Sequence, residues 1–300
     1  MPSRPQYGPR RGDCFAAALL VITIVLSACT PATPTATPLP SETPAPPTAT
    51  PLPMAATVNG EGIPLAEWDA QVTEYIKAHA ALGKPVTEED AGTAVLEDMV
   101  AQMLLAQAAR AAGYELTPEA LQARIDALAR EVGGEAKLRE WQASHGYTEE
   151  TFPIALKRAA EAAYMRDKII NAVPHTAEQV HVQQVLLYNE GDAISISNQI
   201  RGGVDFDRMA TAVDPKTRGE LSWFPRGYLL EPAIEEAAFS MQVGEISEII
   251  QTSVGYHIIK LLDRQPDREL SPDAYLALQE LALKDWVAQQ RAAATVNFAP

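Results

Sequence analysis

Apolar positions recur at two different periods along this chain, and the change falls near Pro174. Before it the spacing is helical, with apolar residues three or four apart. Leu65, Trp68, Val72, Tyr75 and Ile76 make one stripe, and Val95, Met99, Met103 and Leu104 a second that Gly113 stops. Thr117 caps a third helix, with Pro118 at its first position, where a missing N–H costs nothing. Its face is Leu121, Ile125, Leu128 and Val132, and Gly133-Gly134 ends it. Trp141 falls in a shorter helix closed by Gly146, and Thr148 opens a long one through Leu156, Tyr164 and Ile170 to Pro174. Ahead of these, residues 55–62 predict a short strand ending at an Asn-Gly turn. Each alanine-rich stripe reads first as helical core, although methionine and aromatic residues on the same faces also suit a groove for varied clients.

Beyond Pro174 short strands alternate with short helices. Residues 179–188 predict a buried strand, 192–200 a weak helix ended by Gly202-Gly203, and 206–213 a short helix. Residues 219–231 read as loop, 232–241 as helix, and 246–252 and 256–262 as strands. Such alternation predicts an α+β domain of about 90 residues. A helix from Pro272 to about Arg291 and a closing strand at 295–298 complete the chain, the latter able to pair with 57–59.

The N-terminus belongs to neither pattern. Arg4, Arg10 and Arg11 precede an apolar run from Cys14 to Leu26, shorter than the roughly 20 residues that span a bilayer. This predicts a secretory signal peptide over residues 1–28. Residues 29–54 follow as a Pro/Thr-rich spacer, semi-rigid and unable to build a core. The full chain carries a net charge of −15, and losing three arginines and Asp13 with the signal makes the remainder more acidic. That balance argues against nucleic acid as a partner. Cys14 and Cys29 are the two cysteines, so a mature chain starting at Cys29 has no internal disulfide. The histidines show no metal-ligand spacing, and no phosphate loop or nucleophile elbow is present. Neither a metal nor a cofactor is expected.

Two resemblances enter on particular residues. Leu26-Ser27-Ala28-Cys29 resembles the lipobox of bacterial lipoproteins, which implies a lipidated Cys29 and an extracytoplasmic, membrane-anchored protein. An ordinary signal peptide or an uncleaved anchor is the plainer alternative. Val180 to Leu187, Gly219 to Gly227, Glu235 to Phe239, Val243 to Ser247 and Gly255 to Lys260 resemble, in order, the segments of parvulin peptidyl-prolyl isomerases. A helical domain before such a unit and a helix after it resemble extracytoplasmic foldases of the PrsA and SurA type. The resemblance implies a helical chaperone domain over 55–173, a parvulin-like domain over 175–265, and a C-terminal segment, 266–300, that completes the first. It also implies unfolded or newly exported polypeptides with Xaa-Pro bonds as partners.

Matching the family's pattern places His257 at its second histidine, Thr252 at its hydroxyl and Asp214 at its cysteine-or-aspartate position, while Gln184 replaces the first histidine. His181, three residues from Gln184, points to the other face of a strand. The resemblance puts Leu221, Phe224, Leu230 and Ile234 at the apolar cup that holds the proline ring. It implies a prolyl isomerase and chaperone, or, because glutamine cannot titrate, a holdase that uses the domain only to bind peptides.

Overall fold

In the computed structural model, which describes residues 52–298, the chain opens with a hairpin. Strands β1 (Met54–Val58) and β2 (Glu61–Pro64) pair antiparallel with Val58 opposite Glu61. The expected single strand is therefore two, because Asn59 and Gly60, at φ 52° and 87°, take the left-handed conformations of a tight hairpin turn. Expectations for the signal peptide, Cys29 and nearly all of the spacer lie outside the described residues.

Five helices follow: α1 (Leu65–Ala81), α2 (Glu88–Ala111), α3 (Pro118–Val132), α4 (Glu135–Ser144) and α5 (Thr151–Ile170). Thr87 and Thr117 cap α2 and α3 by accepting from Asp90 N and Ala120 N. Thr148 lies just before α5 rather than in it, exchanging hydrogen bonds with Thr151 (2.8 and 3.1 Å) that fix the first turn. The α2 helix is central. Val95, Met99, Val100, Met103 and Leu104 pack with Val58, Ile63 and Val72 in one cluster, while Ala106 and Ala109 meet Ala162 and Met165 of α5. No described helix is long and apolar enough to cross a membrane.

The rest forms a four-stranded antiparallel sheet, in the order β4-β3-β6-β5, with three helices. The elements run β3 (Thr176–Leu187), α6 (Glu190–Arg201), α7 (Phe206–Val213), β4 (Glu220–Pro225), α8 (Pro232–Ser240), β5 (Ile250–Gln251) and β6 (Tyr256–Glu269). Side chains alternate across the sheet. Val185 and Ile258 meet Ile200, Phe206 and Ala210 of α6 and α7 on one face. Val180, Val182, Ile259 and Leu261 meet Ile234, Ala238 and Phe239 of α8 on the other. The chain is thus α+β, a mainly helical unit with a mixed unit behind it.

Three strand expectations change. Residues 219–231 are not all loop, since β4 lies there. Ser222, at φ 58°, sits in an irregular pairing where the β3–β4 register shifts between His181 and Gln183. The extra residue lets Leu221 and Phe224 pack on the same core, although three residues apart they would face opposite ways in a regular strand. The strand expected at 246–252 shrinks to Ile250–Gln251, joined by a single bridge from Ile246 to Lys260. Conversely β6 runs on past Leu262 to Glu269, because β3 extends equally far to pair with it, Thr176 opposite Glu269.

The long β3–β6 ribbon returns the chain beside its point of departure. Helix α9 (Pro272–Ala293) then lies along the first unit, Gln279 Nε2 donating to Ile170 O at 3.1 Å and Leu283 and Trp286 packing on α2 and α5. Strand β7 (Val296–Phe298) pairs with β1, Thr57 opposite Asn297. Asn59 secures the join, donating to Gln107 Oε1 (2.8 Å) and accepting from Thr295 N (2.9 Å).

A buried ionic network ties the helices to the hairpin. Glu67 and Arg158, 3 % and 7 % exposed, form an ion pair, and Tyr147 Oη donates to Glu67 at 3.2 Å. Arg158 Nε reaches Gln102 at 3.2 Å. Arg110 pairs with buried Glu161 (2.5 Å) and with Glu61 of β2 (2.5 Å). Burial, with Glu67 adding to it, pushes the Tyr147 phenol up to about 12. Arg158→Met should destabilise the helical unit by about 3–5 kcal/mol, because it strands a buried carboxylate. Arg158→Met with Glu67→Leu should recover most of that loss. Urea unfolding followed by tryptophan fluorescence checks this, and equal losses in the single and double variants would refute it.

Candidate functional site

The β3 and β6 strands bring together two residues far apart in sequence. Leu186 pairs with His257 and Gln184 with Ile259, so Gln184 and His257 are diagonal neighbours on the face that carries α8. The His257 Nδ1 lies 2.9 Å from Gln184 Oε1, and its Nε2 lies 2.9 Å from Thr252 Oγ1. Thr252 follows β5, and its N–H donates to Gly255 O at 2.8 Å, forming a tight turn that aims the hydroxyl back at the ring. A neutral imidazole has one donor and one acceptor nitrogen. Nδ1–H donating to Gln184 and the Thr252 hydroxyl donating to Nε2 satisfy both, and leave the Gln184 amide N–H groups for other partners.

Burial is nearly complete at the ring, 2 % exposed. Desolvation pushes the His257 pKa below the ordinary histidine value, and Glu231 partly opposes the shift. The imidazole is therefore neutral at pH 7. Gln184 is fixed from behind by Gly219, at φ 69°, whose carbonyl accepts Gln184 N at 2.7 Å. A Cβ on Gly219 would lie 1.9 Å from Gln184 O, so no larger residue fits without moving β3.

Asp214 stands apart from this cluster. It ends α7 and uses both carboxylate oxygens in the following turn, accepting from Lys216 N (3.0 Å), Thr217 N (3.2 Å) and the Thr217 hydroxyl. The Thr217 hydroxyl is the main reason its pKa lies below the usual carboxylate range. Asp214 thus shapes the turn that delivers Gly219 to Gln184. His181 also lies outside the cluster, pairing with Glu220 and stacking on Trp223 at 5.3 Å, while Arg268 covers that indole at 4.3 Å.

The apolar residues divide differently from expectation. Leu230 is 98 % exposed and packs on nothing, because the chain is extended as it enters α8. The neighbouring Leu229 packs on the core instead, with Leu221 and Tyr228. Phe224 and Ile234, 0 % and 4 % exposed, lie beneath that surface as core. The half-buried apolar surface available to a ligand is thus Leu221, Tyr228 and Leu229. Leu229 and Tyr228 escaped sequence reasoning because a one-residue shift in an irregular segment leaves no periodic signal. No cluster of metal-ligating side chains occurs among the described residues.

Comparison with known proteins gives this geometry a family. Residues 189–263 match the PPIC-type PPIase domain, beginning after Gln184, and residues 51–143 match the SurA-like N-terminal domain. The foldase protein PrsA of Caldanaerobacter subterraneus subsp. tengcongensis is 29 % identical over 234 residues, covering 69 % of this chain and 72 % of that protein. A PrsA of Bacillus cereus is 28 % identical, over 62 % of this chain and 65 % of its own length. Among solved structures, a Bacillus cereus PrsA is similar at 27 % identity and a TM-score of 0.42, covering 69 % of this chain and 82 % of that one. The parvulin of Nitrosopumilus maritimus is similar at 30 % identity and a TM-score of 0.26, covering 29 % of this chain and 98 % of that one.

The β3–β6 sheet therefore belongs to a parvulin-type peptidyl-prolyl cis–trans isomerase domain, carried on a SurA-like N-terminal domain. The chain thus carries, in order, the two domains of PrsA/SurA-like foldases, and is similar to a PrsA foldase over 69 % of its length.

Because its pKa is lowered on folding, His257 disfavours the folded state when protonated. Its contribution is complete above the unfolded value, about 6.5, and is lost as pH falls through the lowered folded value. Denaturant melts of wild type and His257→Asn should therefore differ in slope, wild type losing more stability between about pH 7 and 5. Parallel pH dependence would contradict a desolvated ring. Separately, Gly219→Ala should lower the melting temperature and shift the Gln184 amide resonance in NMR spectra, and an unshifted resonance would count against the close approach.

Proposed function

We propose that this foldase accelerates Xaa-Pro isomerisation in exported polypeptides at the outer face of a membrane, tethered there by lipid on Cys29. The observation that carries the catalytic reading is the buried, neutral His257 held between Gln184 and Thr252, on the sheet face that also carries the apolar cluster with Leu221, Tyr228 and Leu229.

Rotating an Xaa-Pro bond breaks no covalent bond. The intrinsic barrier of roughly 18–20 kcal/mol is the resonance lost when the amide twists. Apolar surroundings favour the twisted form, which is less polar than the planar amide, and donors can stabilise it if placed where its carbonyl turns. Leu221, Tyr228 and Leu229 provide a surface for the proline ring. The Gln184 amide is the donor adjacent to His257, and the ring holds it in place. Here His257 and Thr252 act as positioning residues, with no net proton transfer. Asp214 acts at one remove, through the turn that seats Gly219 under Gln184.

The membrane location rests on sequence: the Leu26-Ser27-Ala28-Cys29 segment and the Pro/Thr-rich spacer behind it. A second reading, a holdase in which the parvulin domain binds peptides without turning them over, draws on Gln184, which cannot titrate. It also draws on the cleft of about 730 Å³ among α1, α2 and α4, lined by Tyr75, Val95, Trp141 and Tyr147.

A peptide cis/trans assay on the full chain separates the two. Isomerisation should be detectable in wild type, fall by roughly tenfold in His257→Ala, about 1.4 kcal/mol of barrier, and stay level or rise in Gln184→His. Absence of acceleration together with suppressed aggregation of unfolded clients would establish the holdase instead.

A further inference from the structure

We propose that Glu231 is a specificity-determining residue of the isomerase site, favouring clients with a lysine or arginine beside the Xaa-Pro bond; this rests on the reading of the site given above. Glu231 occupies the N-cap position of α8, yet its side chain makes no capping hydrogen bond. The carboxylate instead crosses to the turn after β5, where Ser253 Oγ donates to Oε1 at 2.7 Å. That turn is the one whose Thr252 holds His257. The carboxylate therefore bridges the two rims of the site, the segment entering α8 and the segment entering β6.

Its charge is not cancelled. Ser253 is a neutral donor, and no described lysine or arginine forms an ion pair with Glu231. Its field reaches the His257 ring, opposing the effect of burial there. Leu229 stands two residues before Glu231, so a residue flanking a proline seated on Leu229 would lie near this rim. Leu230 and Val254, 98 % and 51 % exposed, flank the carboxylate with apolar surface. Long basic side chains suit that combination, laying their methylene stems on apolar surface while the charged end meets an anion. A net charge of −15 on the chain steers encounter in the same direction.

The test uses the full chain and fluorescent peptides with arginine, alanine or glutamate immediately before proline, and a matching set with the substitution immediately after it. Isomerisation is measured by NMR exchange and affinity by fluorescence anisotropy, at low and high salt. The readout is the ratio of the arginine to the glutamate peptide within each variant, which is insensitive to the fraction of folded protein. In wild type, one set should favour arginine about three- to fivefold at low salt, the scale of a partly exposed ion pair, and less at high salt. In Glu231→Gln the ratio should approach one, and in Glu231→Lys it should invert. A ratio near one in wild type, or a wild-type ratio persisting in Glu231→Gln, would overturn the proposal. Should no peptide be isomerised, the catalytic reading fails while the affinity ratios still decide the role of Glu231.

Discussion

The antiparallel pairing of β3 with β6 governs both halves of this molecule. At about 3.3 Å per residue, the ladder from Thr176–Glu269 to Leu187–Tyr256 is roughly 40 Å long. One end sets Gln184 diagonally against His257. At the other the chain leaves α5 and enters α9 side by side, with Leu270 N donating to His175 O at 2.9 Å and the His175 ring stacked on Tyr275. A one-residue slip in this register would turn Gln184 and His257 to opposite faces. The same slip would take either Val185 or Ile258 out of the α6–α7 core.

The two units solve the problem of burying polar groups in different ways. In the helical unit, Glu67, Arg158, Glu161 and Arg110 are paired through several side chains, which fixes how the hairpin and helices meet. Removing the partner of Glu67 or Glu161 is costly because the carboxylate left behind is buried. In the parvulin unit the buried polar group is a neutral ring, held by neutral partners. Neutrality keeps the desolvation cost small and leaves the surroundings apolar, the condition under which a twisted amide gains on a planar one. The substitution of glutamine at position 184 is consistent with this arrangement, since its carbonyl accepts from the ring whatever the pH.

Much of the secondary structure is legible in the sequence. Pro118 after Thr117, the glycine stops and the stripes on α1 to α3 report local preferences that tertiary contacts only reinforced. The ordered short motifs from Val180 to Lys260 carry the resemblance to parvulins, and that resemblance marks Gln184, Thr252 and His257. The misplaced features share a physical cause. Leu230 and Leu229 differ by one position in a segment with no period, and only packing distinguishes them. The irregularity at Ser222 cancels the alternation by which β4 would have been recognised. Asp214 has the right residue type for a site, but the choice between a ligand-facing carboxylate and one spent on Lys216 and Thr217 depends on how the short turn closes.

By itself, then, the sequence determined what short-range physics controls: where helices begin and stop, where the hairpin turns, and the acidic balance that disfavours nucleic acid. Tertiary structure decided what depends on contacts between distant residues. These include the extension of β6 to Glu269, which exists only because β3 is there to pair with it, and the junction of β1 with β7 through Asn59. They also include the ring of His257 enclosed by residues 73 and 5 positions away. Hydrogen-bond direction, burial and register are properties of an assembled surface, and no local run of residues encodes them.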